Sequence, residues 1–172
     1  MFCLAKSARL MAVAAVGGAA VLGSAVCGSA TAWGDPSTLM SMLPQGFSSS
    51  NCKEVPPKGN AVERVDCDAS SESGGPSAAS FGLYTNLDDL NAGFQNAKIT
   101  LSSTCPGNQQ SPGPWGIGSG EKNGGQVECG TTGDSNTTVA VVLWTDKAKL
   151  RAAAIQGSDI DSLYQWWKTK SG

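Results

Sequence analysis

The chain contains no histidine. That absence removes the Ser-His-Asp and Cys-His arrangements, which need an imidazole base, and it takes away the histidine ligands of a zinc site. No Cys-x-x-Cys spacing occurs either, so a cysteine-based zinc site has no nucleus. Basic residues are few, 12 Lys and Arg in all, and they never run together, which excludes a nucleic-acid footprint. After Val26 there is no apolar run long enough to cross a bilayer. Gly116-x-Gly118-x-Gly120 lacks the setting of a phosphate loop. It is followed by Glu121-Lys122-Asn123-Gly124-Gly125, a turn signal, where a helix is needed to point amides at the phosphate. No cofactor motif is present.

The first 32 residues read as a targeting segment. Lys6 and Arg9 make a basic start, Leu10 to Val26 is rich in Ala, Val, Gly, Leu and Met, and Ala30-Thr31-Ala32 offers small residues for cleavage before Trp33. Residues 1–32 are thus expected to be a signal peptide and 33–172 a single secreted domain of 140 residues, expected to be soluble. A retained anchor is the alternative. The domain carries all 14 acidic residues, against 10 basic ones once Lys6 and Arg9 are set aside. Its net charge is therefore near −4.

Four cysteines remain in that domain, Cys52, Cys67, Cys105 and Cys129. An even set in an exported chain predicts two disulfides, and four cysteines allow three pairings. A repeat selects among them. Val65-Asp66-Cys67 leads to Leu83-Tyr84-Thr85-Asn86, Leu90 and Ala92; Val127-Glu128-Cys129 leads to Leu143-Trp144-Thr145-Asp146, Leu150 and Ala152. If each unit closes its own loop, the bridges are Cys52–Cys67 and Cys105–Cys129.

Each copy reads as strand, turn, strand and then a helix capped by Asn86 or Asp146. Ser77 to Thr85 alternates apolar and polar, whereas Val139 to Trp144 is continuously apolar and predicts a central strand buried on both faces. Leu87, Leu90, Phe94 and Ala97 share one helix face, and Leu150 and Ala154 are expected to do the same in the second copy, with Gly157 ending it. Short helices are expected near Leu39 and Leu43, and after Ser158-Asp159-Ile160-Asp161, where Leu163, Tyr164 and Trp167 align. The predicted fold class is α+β: an antiparallel sheet built from two hairpin/helix repeats, helices on one face, two disulfides.

No catalytic grouping emerges. Asp66 with Asp68, or Asp159 with Asp161, could serve acid-base chemistry if folding split their pKa values, but strand-end and capping roles suffice for them. Asn136-Thr137-Thr138 matches the glycosylation triplet by spacing. Trp144 and Trp167 fall on core faces. Trp166 points elsewhere on its helix and Trp115 sits in a Pro/Gly-rich loop, so these two are the candidate binding residues, a flat ring being what a glycan or protein partner uses. The competing reading is that both tuck over the core.

Leu43-Pro44-x-Gly46, the four cysteines, Gly75-Pro76, Trp115, Leu143-Trp144-Thr145-Asp146 and Leu163-Tyr164-x-Trp166-Trp167 together resemble a group of small secreted actinobacterial, chiefly mycobacterial, four-cysteine domains. A similar pattern occurs as an extracellular segment of some bacterial serine/threonine kinases. The resemblance implies an extracytoplasmic sensor or binding module and brings no catalytic residues. Kinase motifs are lacking in this chain. The expected function is a non-catalytic binding or sensor-like module of the cell envelope or extracellular space, its partner an envelope glycan or protein. The alternative is a cell-wall hydrolase using paired carboxylates.

Overall fold

The computed structural model describes residues 37–97, 99–102, 104–116, 124–134 and 137–170. The expected signal at 1–32, most of the Gly116–Gly120 loop, and Asn136 lie outside the described residues. In chain order the elements are α1 (Ser37–Ser41), β1 (Cys52–Glu54), β2 (Glu63–Cys67), β3 (Ala78–Leu83), α2 (Leu87–Gln95), β4 (Thr100–Leu101) and β5 (Thr104–Cys105). They continue with β6 (Gln109–Gln110), β7 (Gly113–Trp115), β8 (Gly125–Asp134), β9 (Thr137–Asp146), β10 (Arg151–Gly157) and α3 (Ile160–Lys170).

Eight strands form one sheet, seven of them in the order β1-β2-β3-β10-β9-β8-β4 with each neighbouring pair antiparallel. β7 also pairs with β8, at Gly125 to Val127, whereas β4 meets it at Gly130 and Thr131. β5 and β6 form a separate two-stranded ladder. The fold is α+β with an antiparallel sheet, as the alternating and apolar runs predict.

Both disulfides fall where the repeat places them. Cys52 and Cys67 face each other across the β1–β2 ladder, and Cys105 of β5 is bonded to Cys129 of β8. The sequence separations of 15 and 24 residues give each bridge about 3 kcal/mol of loop-closure entropy. Disulfide-bonded cysteines point to an oxidising, extracytoplasmic compartment. Among the described residues no helix is long and apolar enough to cross a membrane.

The second repeat departs from expectation after Asp146. In the first copy Asn86 is the N-cap of α2, its side chain accepting from Asp89 N at 2.9 Å. Asp146 instead accepts Lys149 N at 3.1 Å in a tight turn, Leu150 adopts φ 49°, and the chain returns as strand β10. Helix-favouring alanines at 152–154 are overridden, because β10 fills the slot between β3 and β9 and satisfies the hydrogen-bonding edges of both. Leu150 is consequently a half-buried turn residue and not a helix core position.

Helices also cover both faces of the sheet, not one. Leu39 of α1 and Leu163, Tyr164, Trp166 and Trp167 of α3 share a core with Val65, Phe81, Val142, Trp144, Ala153 and Ile155. Strand side chains alternate, so Val141, Leu143, Ala152 and Ala154 point the other way. There α2 packs on β9 and β10 and buries Leu90 and Phe94, each worth about 1.5–3 kcal/mol. The unbroken apolar run of β9 follows from this, since a strand covered on both sides has no solvent face.

Candidate functional site

The two tryptophans singled out for binding are interior. Trp115 is 6% exposed and Trp166 7%. The Trp115 indole N–H donates to Thr145 O at 2.8 Å, and its ring meets Trp167 edge-on at a centroid distance of 5.7 Å. Trp115 is thus the last residue of strand β7, not a loop residue, and it ties that strand to the end of β9 and to α3. Trp166 packs edge-on against Phe47 at 5.7 Å, and Phe47 in turn against Phe81 at 5.6 Å. Neither ring offers a stacking face to a ligand, and the reading in which both tuck over the core is the one the fold adopts.

Among the described residues no hydrogen bond or shared partner joins Asp66 to Asp68 or Asp159 to Asp161. Asp66 is held by Arg64 Nη2 at 2.7 Å and by Ser80 Oγ at 2.7 Å, while Asp68 is exposed. Asp159 accepts Ser162 N at 2.8 Å at the start of α3, and these hydrogen bonds hold its carboxyl below the usual range. Asp161 is exposed in the first turn. Glu128 is buried on β8, and burial pushes its carboxyl up. Among the described residues no group of three His, Cys, Asp or Glu side chains is placed to hold a metal.

A cleft of about 700 Å³ opens instead on the α2 face of the sheet. Its floor is built from small strand residues, Gly82 of β3 with Ala152 and Ala154 of β10, next to Leu143 of β9. α2 supplies one wall through Ala92, Gly93, Asn96 and Ala97. The β1–β2 turn supplies the other through Lys58, Gly59, Asn60 and Ala61. Asn60 Nδ2 donates to Asp89 Oδ1 of α2, so this turn is tied to the helix. The cleft exists because α2 covers β9 and β10 but not β2 and β3, leaving the solvent-side residues of the latter pair as a shelf.

Arg64 and Ser80 stand on that shelf. Arg64 Nε donates to Ser80 Oγ at 3.3 Å, Ser80 Oγ donates to Asp66 Oδ1, and Arg64 Nη2 completes the triangle on Asp66 Oδ2. Two of the five guanidinium N–H bonds are thereby committed; the other three have no acceptor among the described residues. Tyr84 lies across the cleft between β3 and α2. A Cβ at Gly93 would collide with its hydroxyl, and one at Gly82 would touch its ring at 3.4 Å. Glycine at 93 is what lets the phenol reach the helix. Burial pushes the Tyr84 phenol up, keeping it protonated and a donor at neutral pH, and its hydroxyl has no partner among the described residues.

Of the cleft's lining side chains the two charged ones, Lys58 and Arg64, are both cationic, on a chain whose net charge is −2. Sequence reasoning did not single out Arg64, Lys58 or Tyr84. The one available signal was Arg64 with Asp66 on the outward positions of a strand opposite Ser80. The fold and cleft define an antiparallel α+β domain with a preformed concave site. No protein-family model, curated protein or solved structure matches this chain.

Proposed function

We propose that the protein is an exported, non-catalytic binding or sensor-like module of the cell envelope or extracellular space, and that the cleft beside α2 is its binding site. One observation carries this reading. A cleft of about 700 Å³, within the range of small-molecule sites, presents a fixed guanidinium, a phenol and an ammonium around a small apolar floor. The carboxylates on which a hydrolase would depend are engaged in local roles, Asp66 with Arg64 and Ser80, and Asp159 with Ser162. The two disulfides and the half-covered sheet support a rigid scaffold holding a preorganised site.

The test is to dialyse the oxidised protein against a low-molecular-weight envelope extract and identify what it retains. Ala154→Phe places a ring in the cleft from a half-buried floor position and is the control. Retention of a compound by the native protein, lost in Ala154→Phe and without chemical change to the compound, is the expected result. Turnover abolished by a single carboxylate substitution would overturn the reading in favour of a hydrolase. Equal retention by the variant would remove the cleft as its site.

A further inference from the structure

Resting on that assignment of the cleft, we infer that its ligand is a small organic carboxylate with an apolar body, the carboxylate taken by Arg64 with Lys58 and a second polar atom by the Tyr84 hydroxyl. Charge sets the class. Asp89, which accepts from Asn60, is not part of the lining. Arg64 is already paired with Asp66 at 2.7 Å, so among the lining side chains the charge without an ion-pair partner is that of Lys58. A single negative charge balances it, whereas a phosphate dianion would be left in excess. Arg64 nonetheless keeps three N–H donors without an acceptor among the described residues, in the planar fork that suits a carboxylate. Its grip on Asp66 and Ser80 orients that fork before any ligand arrives, so little side-chain entropy remains to be lost on binding.

The floor requires the apolar body. Leu143, Ala152 and Ala154 offer no polar side-chain atom, and the facing Ala92 and Ala97 of α2 offer none either. A fully polar ligand would leave its own groups dehydrated and unmatched there. The Tyr84 hydroxyl is the one half-buried side-chain donor of the site with no partner among the described residues, and such a donor is stabilised by an acceptor on the ligand.

Decanoate and its uncharged counterpart decanol, both used below aggregation, separate the contributions by calorimetric titration of the oxidised protein. Decanoate is expected to bind more tightly than decanol. Arg64→Gln should weaken decanoate by roughly tenfold or more, the worth of a charge-assisted hydrogen bond, and leave decanol unchanged. Lys58→Gln should cause a smaller loss that disappears at high salt. Tyr84→Phe keeps the ring and removes the donor, so it should leave the thermal midpoint nearly unchanged, which makes it the second variant if Arg64→Gln proves unstable. It should weaken a hydroxylated decanoate more than decanoate itself. Equal binding of decanoate and decanol, both lost in Ala154→Phe, would overturn the carboxylate inference while leaving the cleft as the site. Failure of decanoate to bind at millimolar concentration would overturn it too, and the extract experiment would then judge the module alone. Decanoate binding undiminished in Ala154→Phe would overturn both.

Discussion

Arg151 and Asp146 sit at the start of β10 and the end of β9, with side chains each 2% exposed. Arg151 Nη2 lies 3.8 Å from Asp146 Oδ2, and Nη1 donates to the Met42 carbonyl just beyond α1. Nε has no partner among the described residues, and the guanidinium carbon stands 5.9 Å from the centre of the Phe81 ring. Desolvation lowers the Arg151 pKa, and the Asp146 charge opposes that shift. At 3.8 Å the pair attracts by about 4 kcal/mol at an effective dielectric constant of 20. Asp146→Ala therefore leaves an uncompensated buried cation and should cost about 3–5 kcal/mol. With a urea dependence of roughly 2 kcal/mol/M, the unfolding midpoint should fall by roughly 2 M. Arg151→Met should cost less, because it keeps an apolar stem over Phe81 and leaves Asp146 its Lys149 partner at 3.1 Å. The double variant Asp146→Asn, Arg151→Met should recover much of the loss, since both charges leave together. A single-variant cost under about 1 kcal/mol, as at surface sites, or a double variant less stable than Asp146→Ala, would refute the reasoning.

Leu150 adopts φ 49° in the β9–β10 turn, so Leu150→Gly should change stability by about 1 kcal/mol or less, relief of backbone strain offsetting lost contact; a helix core position would lose about 2–5 kcal/mol, and chemical denaturation distinguishes the two. Asn86→Ala removes the cap on α2 and should cost about 1 kcal/mol, with faster amide exchange at Asp89 as the local signature. Glu128 has a folded pKa raised by burial. Its charged form is thus disfavoured in the fold, and stability is gained as pH falls through the folded pKa, the gain being complete below the unfolded value of about 4.3. Glu128→Gln should abolish that component, so the variant should be more stable than the native protein near pH 7 and converge with it near pH 4, as read from paired urea midpoints.

Much of the fold was legible because its signals are local. Alternation over Ser77 to Thr85 is β3, the apolar run ending in Trp144 is β9, Asn86 caps α2, and the shared order of cysteine and strand in the two units selected both bridges. The repeat misled at the point where local chemistry has two outcomes. An Asn or Asp after a strand can accept from helical amides or close a tight turn, and the residue itself does not choose. The choice lies with a distant partner, the open edges of β3 and β9, which the alanines at 152–154 fill as strand despite their helix preference. The expectation of helices on one face did not follow through on the sequence's own signal for β9. A strand as uniformly apolar as Val139 to Trp144 requires cover on each side.

The cleft was illegible for a related reason. Large aromatic side chains carry the strongest sequence signal, and in a domain with two half-cores they are spent on packing, as the contacts of Trp115 with Trp167 and Trp166 with Phe47 show. The cleft is made from what a sequence scan passes over. Its floor is largely Gly and Ala, which read as permissive positions, and Arg64 sits on an outward strand position, where a charge reads as a solvated face. Only the sheet order places Arg64 beside Ser80, and only α2, covering β9 and β10 but not β2 and β3, turns that face into a wall. Gly93 shows how fine the dependence is. A single methyl group there would collide with the Tyr84 hydroxyl, and either the phenol would leave the cleft or the helix would lift from the sheet. The site is thus encoded by small residues that permit an approach, and its chemistry by two ordinary surface residue types, Arg and Tyr, which that approach half-buries.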